Sequence, residues 1–388
     1  MIKQFSIAGD IVLFLAPYCF NWNSPWYSPG RSQKILQVET LLASLSFSLF
    51  RINTAPDLPP SSPIPLLQLS RITSPHLRLI HSFFSILLFL FQRPFRQVSP
   101  ILWIYNTRFS EALIAFIILL FIPSIPLYLQ VEDLPRARPQ NGGLRGLLDL
   151  LCLSLLVRRA NHIFVVSQVV SHVLNSSHPT LTSKSSVLPP LLSPGFLLMV
   201  EQRSQPFSRT HTTILYAGGY GHEKGVDDLI QAFLKLPDEN ILLQLAGSVP
   251  DILVSSFSTN TRIQILGPLK VSELYSYYAN ADVLVSPHRV TPRSSSIFPF
   301  KLIEYVASGA LPLTTPMPGV ELLCLPKDCL FETVDDLTSK LFSARSLWME
   351  HKHSILACSA NIRYSYSYRT LLPSLAVHLR RDHLLLDI

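Results

Sequence analysis

Short, continuous apolar runs alternate along this chain with helix-length amphipathic segments. In the first half, the apolar runs predict strands at 11–16, 48–53, 101–106, 127–132 and 163–167, with another near 187–188. Helical periodicity covers 33–45 and 77–91. Strands that lack an alternating polar position are expected to be covered on both faces, as in a parallel sheet. The alternation therefore predicts an α/β fold with right-handed crossovers.

The second half continues the same pattern. It predicts strands at 213–217, 241–246, 262–266, 282–286, 311–315 and 329–331, and helices at 270–279 and 334–347. The segment 176–210 between the halves is rich in Ser, Pro and Thr. A length of 388 residues with 48% hydrophobic and 15% charged residues suits two cores and excludes a disordered chain. The predicted domains are 1–205 and 206–388.

A glycine-rich loop follows the strand at 213–217. Its glycines are Gly218, Gly219 and Gly221. Lys224 comes shortly before a helical pattern at 226–233. Glycines let the backbone approach a phosphate, N–H groups at a helix start donate to it, and a lysine adds positive charge. The loop therefore predicts a site for a phosphorylated or nucleotide ligand, with Lys224 as its cation.

A second candidate segment precedes the strand at 311–315. Its helix, 299–309, contains Glu304, whose carboxylate suits the two hydroxyl donors of a ribose. Polar side chains fill the loop before this helix: His288, Arg289, Arg293, Ser295 and Ser296. They follow the C-terminal end of a strand, where open α/β sheets bind ligands. The two segments together predict a nucleoside diphosphate site.

Four segments of the second half occur in the order YAGGYGHEKG, LLQLAGS, RIQILGPLKVSELYSYYANADVLVSP and FPFKLIEYVASG. In this order they resemble the donor-binding domain of the GT-B glycosyltransferases, family four in particular. The first half resembles the acceptor domain more loosely, in segments such as DIVLFLAP, ILWIYNTRFSEA and LYLQVEDLP.

The resemblance implies two Rossmann-like domains that face each other across a cleft. It implies transfer of a sugar, with retention, from a nucleotide-diphosphate sugar to an acceptor hydroxyl, and a last helix, about 370–386, that packs back on the first domain. It also implies further donor contacts, in the first β-α loop and around the start of the helix at 299–309: Gly30, Phe300, Lys301 and Leu302. The expected acceptor is a carbohydrate or a lipid-linked molecule, as in cell-surface polysaccharide or glycolipid synthesis.

Two departures from the family pattern leave alternatives open. Ser296 stands where the family usually has the first of two glutamates, and no arginine precedes Lys224. Arg289 or Arg293 is a candidate to replace that arginine. A catalytically inactive partner of this fold and a nucleotide-sugar epimerase remain alternatives. A dinucleotide-dependent oxidoreductase is disfavoured, because the strand at 241–246 is not followed by the acid that binds a ribose.

Glu132 and Asp133 end the apolar strand LYLQV in the first half. Carboxylates at this end of a strand are candidates to orient or deprotonate the acceptor hydroxyl. The alternative interpretation is that they cap the next helix or pair with Arg136 or Arg138.

The sequence contains no motif that is typical of a metal site or of nucleic-acid binding. There is no Asp-x-Asp, and no His or Cys cluster has metal-ligand spacing. The five scattered cysteines predict buried thiols in a reducing compartment, hence the cytoplasm. No basic run is interleaved with aromatic residues, which disfavours nucleic acid. The expectation is a metal-independent enzyme whose only co-substrate is the nucleotide sugar.

Positive charge is concentrated in the first half. Residues 1–210 contain 17 Lys and Arg against 8 Asp and Glu, whereas residues 211–388 contain 15 against 17. Arginines flank the apolar run 83–91: Arg71, Arg78, Arg93 and Arg96. This pattern predicts docking on an anionic membrane, at the inner face for a cytoplasmic enzyme. The competing interpretation is a buried helix of an ordinary α/β core.

Overall fold

The computed structural model describes residues 11–18, 29–56, 64–72, 74–91, 100–135, 143–178, 183–237, 239–250, 255, 257, 260–291 and 300–383. The chain divides into two compact units. The first is Met1–Leu191 with Tyr368–Ile388, and the second is Leu192–Ser367. Each unit is built on its own parallel sheet, so the predicted class of two Rossmann-like α/β halves is confirmed.

Over its described residues, the first unit has a seven-stranded sheet in the order β3-β2-β1-β4-β5-β6-β7. The strands are β1 (Ile11–Ala16), β2 (Ser48–Asn53), β3 (Leu66–Gln68), β4 (Ile101–Tyr105), β5 (Leu127–Val131), β6 (His162–Val165) and β7 (Ser185–Val187). The helices are α1 (Pro29–Ser44), α2 (Pro75–Phe91), α3 (Phe109–Phe121), α4 (Leu144–Arg159), α5 (Gln168–Ser177) and, at the end of the chain, α12 (Tyr368–His383).

Aromatic side chains form a ladder across the first sheet. Phe14, Trp103 and Tyr128 are register partners on β1, β4 and β5. The ring of Trp103 stacks on that of Phe164 at 4.9 Å and on that of Tyr128 at 6.0 Å. Such rings bury large apolar areas and fix the register of neighbouring strands. Leu375 of α12 packs into the same core.

Over its described residues, the second unit has a five-stranded sheet in the order β10-β9-β8-β11-β12. The strands are β8 (Thr212–Ala217), β9 (Ile241–Ala246), β10 (Ile263–Gly267), β11 (Val283–Ser286) and β12 (Leu311–Thr314). The helices are α6 (Pro194–Glu201), α7 (Val226–Leu234), α8 (Val271–Asn280), α9 (Phe300–Ser308), α10 (Val334–Phe342) and α11 (Ala344–Ser365).

Both faces of the second sheet are covered, as its continuous apolar strands predict. Along β8, Ile214 packs with Phe233 of α7, whereas its neighbour Leu215 packs on the other face with Tyr305 of α9. Strands β8 and β11 lie in the middle of the sheet, so the loops that follow them share one edge. The candidate residues of this unit follow those strands.

Four elements differ from the prediction. The division between the units falls after Leu191 and not after residue 205, because α6 belongs to the second unit, where its Phe196 ring packs 5.3 Å from that of Tyr275 on α8. The edge strand β3 was not predicted. The strand expected at 329–331 is a single bridge between Thr314 and Leu330. The helix expected at 334–347 ends at Phe342, and a second helix, α11, begins at Ala344.

None of the helices in the described part of the chain is both long and apolar enough to span a membrane.

Candidate functional site

The glycine loop after β8 is shaped by close contacts. A Cβ at Gly218 would overlap the ammonium of Lys301 and the hydroxyl of Tyr216, so a larger residue would require these side-chain ends to move. That hydroxyl also donates to the carbonyl of Gly219 at 2.5 Å. By contrast, no atom lies within 4 Å of a Cβ placed at Gly219 or Gly221. The middle of the loop therefore borders open space, as a binding loop requires.

Lys224 ends a 3-10 helix, His222–Lys224, just before Gly225. Gly225 has φ of 61° and precedes the first residue of α7. A Cβ there would overlap the carbonyl of Pro287, in the loop after β11. Only glycine allows this approach and this φ. The Lys-Gly pair thus brings the start of α7 against the end of β11.

The ammonium of Lys224 meets the ring of His288 as a result of that approach. Lys224 Nζ lies 3.1 Å from His288 Nε2, and Ser286 Oγ lies 3.2 Å from His288 Nδ1. Burial, with the charges of Lys224 and Lys301 acting in the same direction, lowers the pKa of His288 to about 3. The neutral ring therefore accepts from Lys224 through Nε2 and donates from Nδ1 to Ser286.

Lys301 stands in the first turn of α9 and donates to the carbonyl of Ala217, the last residue of β8. Burial lowers its pKa to about 8, with the charge of Lys224 acting in the same direction and that of Glu304 opposing it. Two ammonium groups from separate elements thus act on each other and on His288. Placing like charges together is unfavourable unless an anion joins them.

Glu304 lies one turn after Lys301 on α9. Burial raises the pKa of its carboxyl to about 7, while Lys301 and the hydroxyl of Tyr278 act to lower it. The Tyr278 hydroxyl is buried beside this carboxyl without a hydrogen bond of standard geometry. A partly protonated carboxyl can both donate and accept, which suits paired hydroxyl groups.

Arg289 lies beside this cluster and is bound to acidic side chains of α7. Its guanidinium holds both carboxylate oxygens of Asp228 at 2.7 and 2.8 Å and contacts Asp227 at 2.5 Å. It also donates to the His222 carbonyl. These carboxylates raise its pKa. Arg289 thereby ties the loop after β11 to the segment that carries Lys224.

The remaining donor-site candidates differ in whether the structure describes them and in how exposed they are. Arg293, Ser295 and Ser296 lie outside the described residues. Phe300 begins α9 and is partly exposed, whereas the side chain of Leu302 is fully buried in the core. Leu302 can therefore reach a ligand only through its backbone.

The candidates of the first unit form a separate group. The carboxylate of Glu132 is buried, with one oxygen 2.6 Å from Lys34 Nζ and the other 2.7 Å from Gln130 Nε2. Asp133 is exposed next to it, and Gly30 lies in the first turn of α1. Glu132 is thus neutralised by a lysine that sequence reasoning did not link to it, 98 positions away.

Three tyrosines of the site were not predicted: Tyr216, Tyr278 and Tyr305. Tyr305 accepts a hydrogen bond from the Ala217 amide at 3.0 Å through its hydroxyl, and burial raises its pKa. In the sequence these residues fall on apolar faces of a strand and two helices, where a tyrosine is expected in the core. The spacing of these tyrosines in the sequence does not show that their hydroxyl groups lie at the site.

Metal-ligand groupings of three or more His, Cys, Asp or Glu side chains are absent from the described parts of the chain.

Comparison with known proteins identifies the domain that carries this site. Residues 211–343 match the model of the family described as glycosyl transferases group 1. None of the curated proteins compared matches the chain. The matched stretch includes the glycine loop, Lys224, His288 and Glu304.

Solved structures extend the likeness to nearly the whole chain. Sucrose-phosphate synthase from Thermosynechococcus elongatus superimposes with a TM-score of 0.69 at 15% identity, over 96% of this chain and 99% of its own. Anabaena HepE in complex with UDP and glucose gives 0.67 at 13% identity, over 96% and 99%. WaaG, a glycosyltransferase involved in lipopolysaccharide biosynthesis, gives 0.62 at 15% identity, over 95% and 99%. The chain has the GT-B fold, and its residues 211–343 match the group 1 glycosyltransferase family.

Proposed function

We propose that this protein transfers a sugar from a nucleotide-diphosphate sugar to an acceptor hydroxyl, with retention at the anomeric carbon. The observation that carries the proposal is the convergence of Lys224 and Lys301 beside an open glycine loop. A bound diphosphate would supply the negative charge that offsets the repulsion between the two neighbouring ammonium groups. HepE, similar in fold, is known in complex with UDP and glucose, which supports a nucleotide donor.

In this reaction the bond between the anomeric carbon and the phosphate oxygen breaks, and a bond from that carbon to the acceptor oxygen forms. Lys224, held by His288, stabilises the charge that develops on the departing diphosphate. The departing phosphate oxygen takes the proton of the acceptor hydroxyl. No separate base is needed, which agrees with Glu132 being neutralised by Lys34.

The nucleoside end of the donor is assigned to Glu304. Its carboxyl, with a pKa of about 7, offers both a donor and an acceptor to the ribose hydroxyls. Phe300, Lys301 and the backbone of Leu302 then lie along the phosphates and sugar, with Gly219 and Gly221 opposite. Arg289 acts in this scheme through its hold on Asp228 and not through a phosphate contact.

Charge stabilisation by lysines also makes the proposed reaction metal-independent. Magnesium or manganese bridges a diphosphate in enzymes that supply carboxylates to hold it. In this proposal the ammonium groups of Lys224 and Lys301 take that role. Transfer is therefore expected to survive a chelator.

The proposed acceptor is a carbohydrate or a lipid-linked sugar, in the synthesis of a cell-surface polysaccharide or glycolipid. The proposed setting is the cytoplasm, at an anionic membrane surface. WaaG, which shares the fold, acts in lipopolysaccharide biosynthesis. An acceptor held in a bilayer requires an enzyme that can reach it.

Product analysis tests the proposal. The purified protein is incubated with uridine, guanosine and adenosine diphosphate sugars, with simple and lipid-linked sugars as acceptors, with and without chelator. The expected product is a new glycoside of unchanged anomeric configuration. An isomerised donor would indicate an epimerase. Intact donor under all conditions, despite nucleotide binding, would indicate an inactive partner protein.

A further inference from the structure

Helices α2, α3 and α4 lie side by side on one face of the first unit's sheet. The steps from β3 to β4, β4 to β5 and β5 to β6 all run in the same direction, so right-handed crossovers place these helices together. Helix α3 lies between the other two and contacts both. The rings of Phe91 on α2 and Phe121 on α3 are 5.5 Å apart. We name the outer side of α2, α3 and α4 the three-helix face.

An apolar stripe runs along the exposed side of α2. Its members are Leu77, Ile80, Phe84, Leu88 and Phe91. Their spacing of three or four residues places them on one side of a helix. Phe84 is 58% exposed and Leu88 65%. Most of this side of α2 is therefore exposed to solvent, while Ile86 and Phe89 face the core.

A second stripe with the same spacing runs along α4. Its members are Leu144, Leu147, Leu151 and Leu155, and the next position of the series is Arg158. Leu147 is 63% exposed and Leu151 54%. A surface helix of a water-soluble protein normally places polar residues on this side. Helix α4 is therefore apolar on both sides, because Leu153 and Leu156 are buried in the core while the stripe is exposed, and its one acid, Asp149, is buried.

Charge on the three-helix face has one sign. The acidic residues of α2, α3 and α4 are Glu111 and Asp149, and both are buried. Glu111 accepts from Thr54, and Asp149 accepts from the Phe109 amide. The described basic residues are Arg78, Arg158 and Arg159, and the last two are exposed at the end of α4. The face therefore combines exposed apolar stripes with positive charge and no exposed carboxylate.

We infer that the three-helix face docks on an anionic lipid bilayer, with α2 and α4 lying in the plane of the headgroups. Helices of this length at ordinary spacing present a surface on the order of 25 Å by 20 Å. An apolar surface of that extent is seldom left in water. Leucine and phenylalanine enter the boundary of the acyl chains, and arginines contact anionic headgroups. The inference is argued from residues of the first unit alone, and it deepens the proposed membrane setting, on which it rests, by naming the surface that docks.

A second copy of the chain fits this face less well. A symmetric dimer would place the face against its own copy, so Arg158 and Arg159 would be buried against the same three-helix face of the partner. The face offers no exposed carboxylate to pair with them, and unpaired like charges oppose association. Anionic headgroups supply the missing charge, which selects the bilayer as the occupant.

Vesicle cosedimentation with the full-length protein tests the inference. Vesicles of phosphatidylcholine alone are compared with vesicles that also contain a quarter phosphatidylglycerol, at low and physiological ionic strength. The test variant, Phe84→Ser with Leu151→Ser, changes two exposed positions outside the candidate site. The matched control is Leu198→Ser, an exposed leucine on α6 of the second unit, 59% exposed.

The wild type and Leu198→Ser are expected to bind the phosphatidylglycerol vesicles, and to bind more weakly as salt rises. The double variant should partition about tenfold less, since it withdraws two large apolar side chains from the bilayer. Equal binding to both vesicle types, negligible binding to either, or unchanged binding of the double variant would overturn the inference. So would a lipid-free dimer that the double variant dissociates. Titration with UDP reports separately on the donor site.

Discussion

The ammonium of Lys224 lies 3.1 Å from Nε2 of His288, a histidine that stays uncharged because its pKa is about 3. A carboxylate in that position would also hold the lysine, but it would cancel the lysine's charge. A neutral imidazole orients the ammonium and leaves its full charge for a phosphate. Because the ammonium can only donate, Nε2 accepts and the ring proton lies on Nδ1, 3.2 Å from the Ser286 hydroxyl oxygen that accepts it.

Substitution of His288 tests this arrangement. His288→Leu removes the acceptor, and we expect UDP affinity to fall about three- to tenfold. His288→Gln places an amide oxygen near the position of Nε2 and should restore most of that loss. Isothermal titration measures both variants. Equal losses in both would show that the ring acts by packing alone.

The ionised carboxylate of Glu304 is predicted to lower the free energy of unfolding. Its folded-state pKa of about 7 lies above the ordinary value of 4.5. The stabilising contribution of the protonated carboxyl is fully present below pH 4.5 and is lost as pH rises through 7. Glu304→Gln, which cannot ionise, should therefore raise the free energy of unfolding by about 1–3 kcal/mol at pH 8 and have little effect at pH 4.5.

Urea unfolding at the two pH values measures this difference, with the exposed Glu239→Gln as control. The same Glu304→Gln variant should bind UDP more weakly, because its amide replaces an acceptor for the ribose. A variant that is less stable than the wild type at pH 8 would contradict the assignment of a buried, destabilising carboxylate.

Two glycines of the loop should respond in opposite ways to alanine. Gly225→Ala forces a side chain at φ of 61° against the Pro287 carbonyl, so we expect at least about 2 kcal/mol of destabilisation. Gly219→Ala meets no atom within 4 Å and should change stability by less than about 0.5 kcal/mol. Its methyl group would occupy the space assigned to the donor, so UDP binding should weaken. Thermal unfolding measures the change in stability of each variant, and titration with UDP measures the change in affinity.

A double-mutant cycle separates the two roles open to Arg289. If it acts through Asp228, Arg289→Ala and Asp228→Ala should be strongly non-additive in stability, with a coupling of about 1 kcal/mol or more. In the Asp228→Ala background, Arg289→Ala should then cost little further UDP affinity. A large affinity loss in that background would instead indicate a direct phosphate contact.

Much of the fold follows from the apolar runs. Strands β1, β2 and β9 occupy the predicted residues, because a strand buried on both faces leaves an unbroken apolar segment. Strand β3 leaves no such run, since its three residues are only partly buried at the sheet edge. The break at Ser343 falls within a sequence pattern that stays helical on both sides, so the pattern does not mark it.

The part of the candidate site that lies within one short segment of the sequence could be predicted. The glycines and Lys224 stand together in one loop, so their spacing carries the signal. The pairing of Lys224 with His288 spans 64 positions, and that of Lys34 with Glu132 spans 98. Such pairs depend on which strands are neighbours in the sheet. Sequence spacing alone does not show that Arg289 is held by Asp228.

Titration of nucleoside diphosphates into the Lys224→Gln variant shows whether Lys224 binds the diphosphate of the donor. UDP, GDP and ADP are titrated into the wild type, into Lys224→Gln, and into Lys235→Gln, which changes an exposed lysine that pairs with Asp335 away from the loop. We expect at least one diphosphate to bind the wild type and Lys235→Gln alike, and to bind Lys224→Gln about tenfold more weakly or worse. Failure of all three diphosphates to bind the folded wild type, or unchanged affinity in Lys224→Gln, would contradict that role of Lys224.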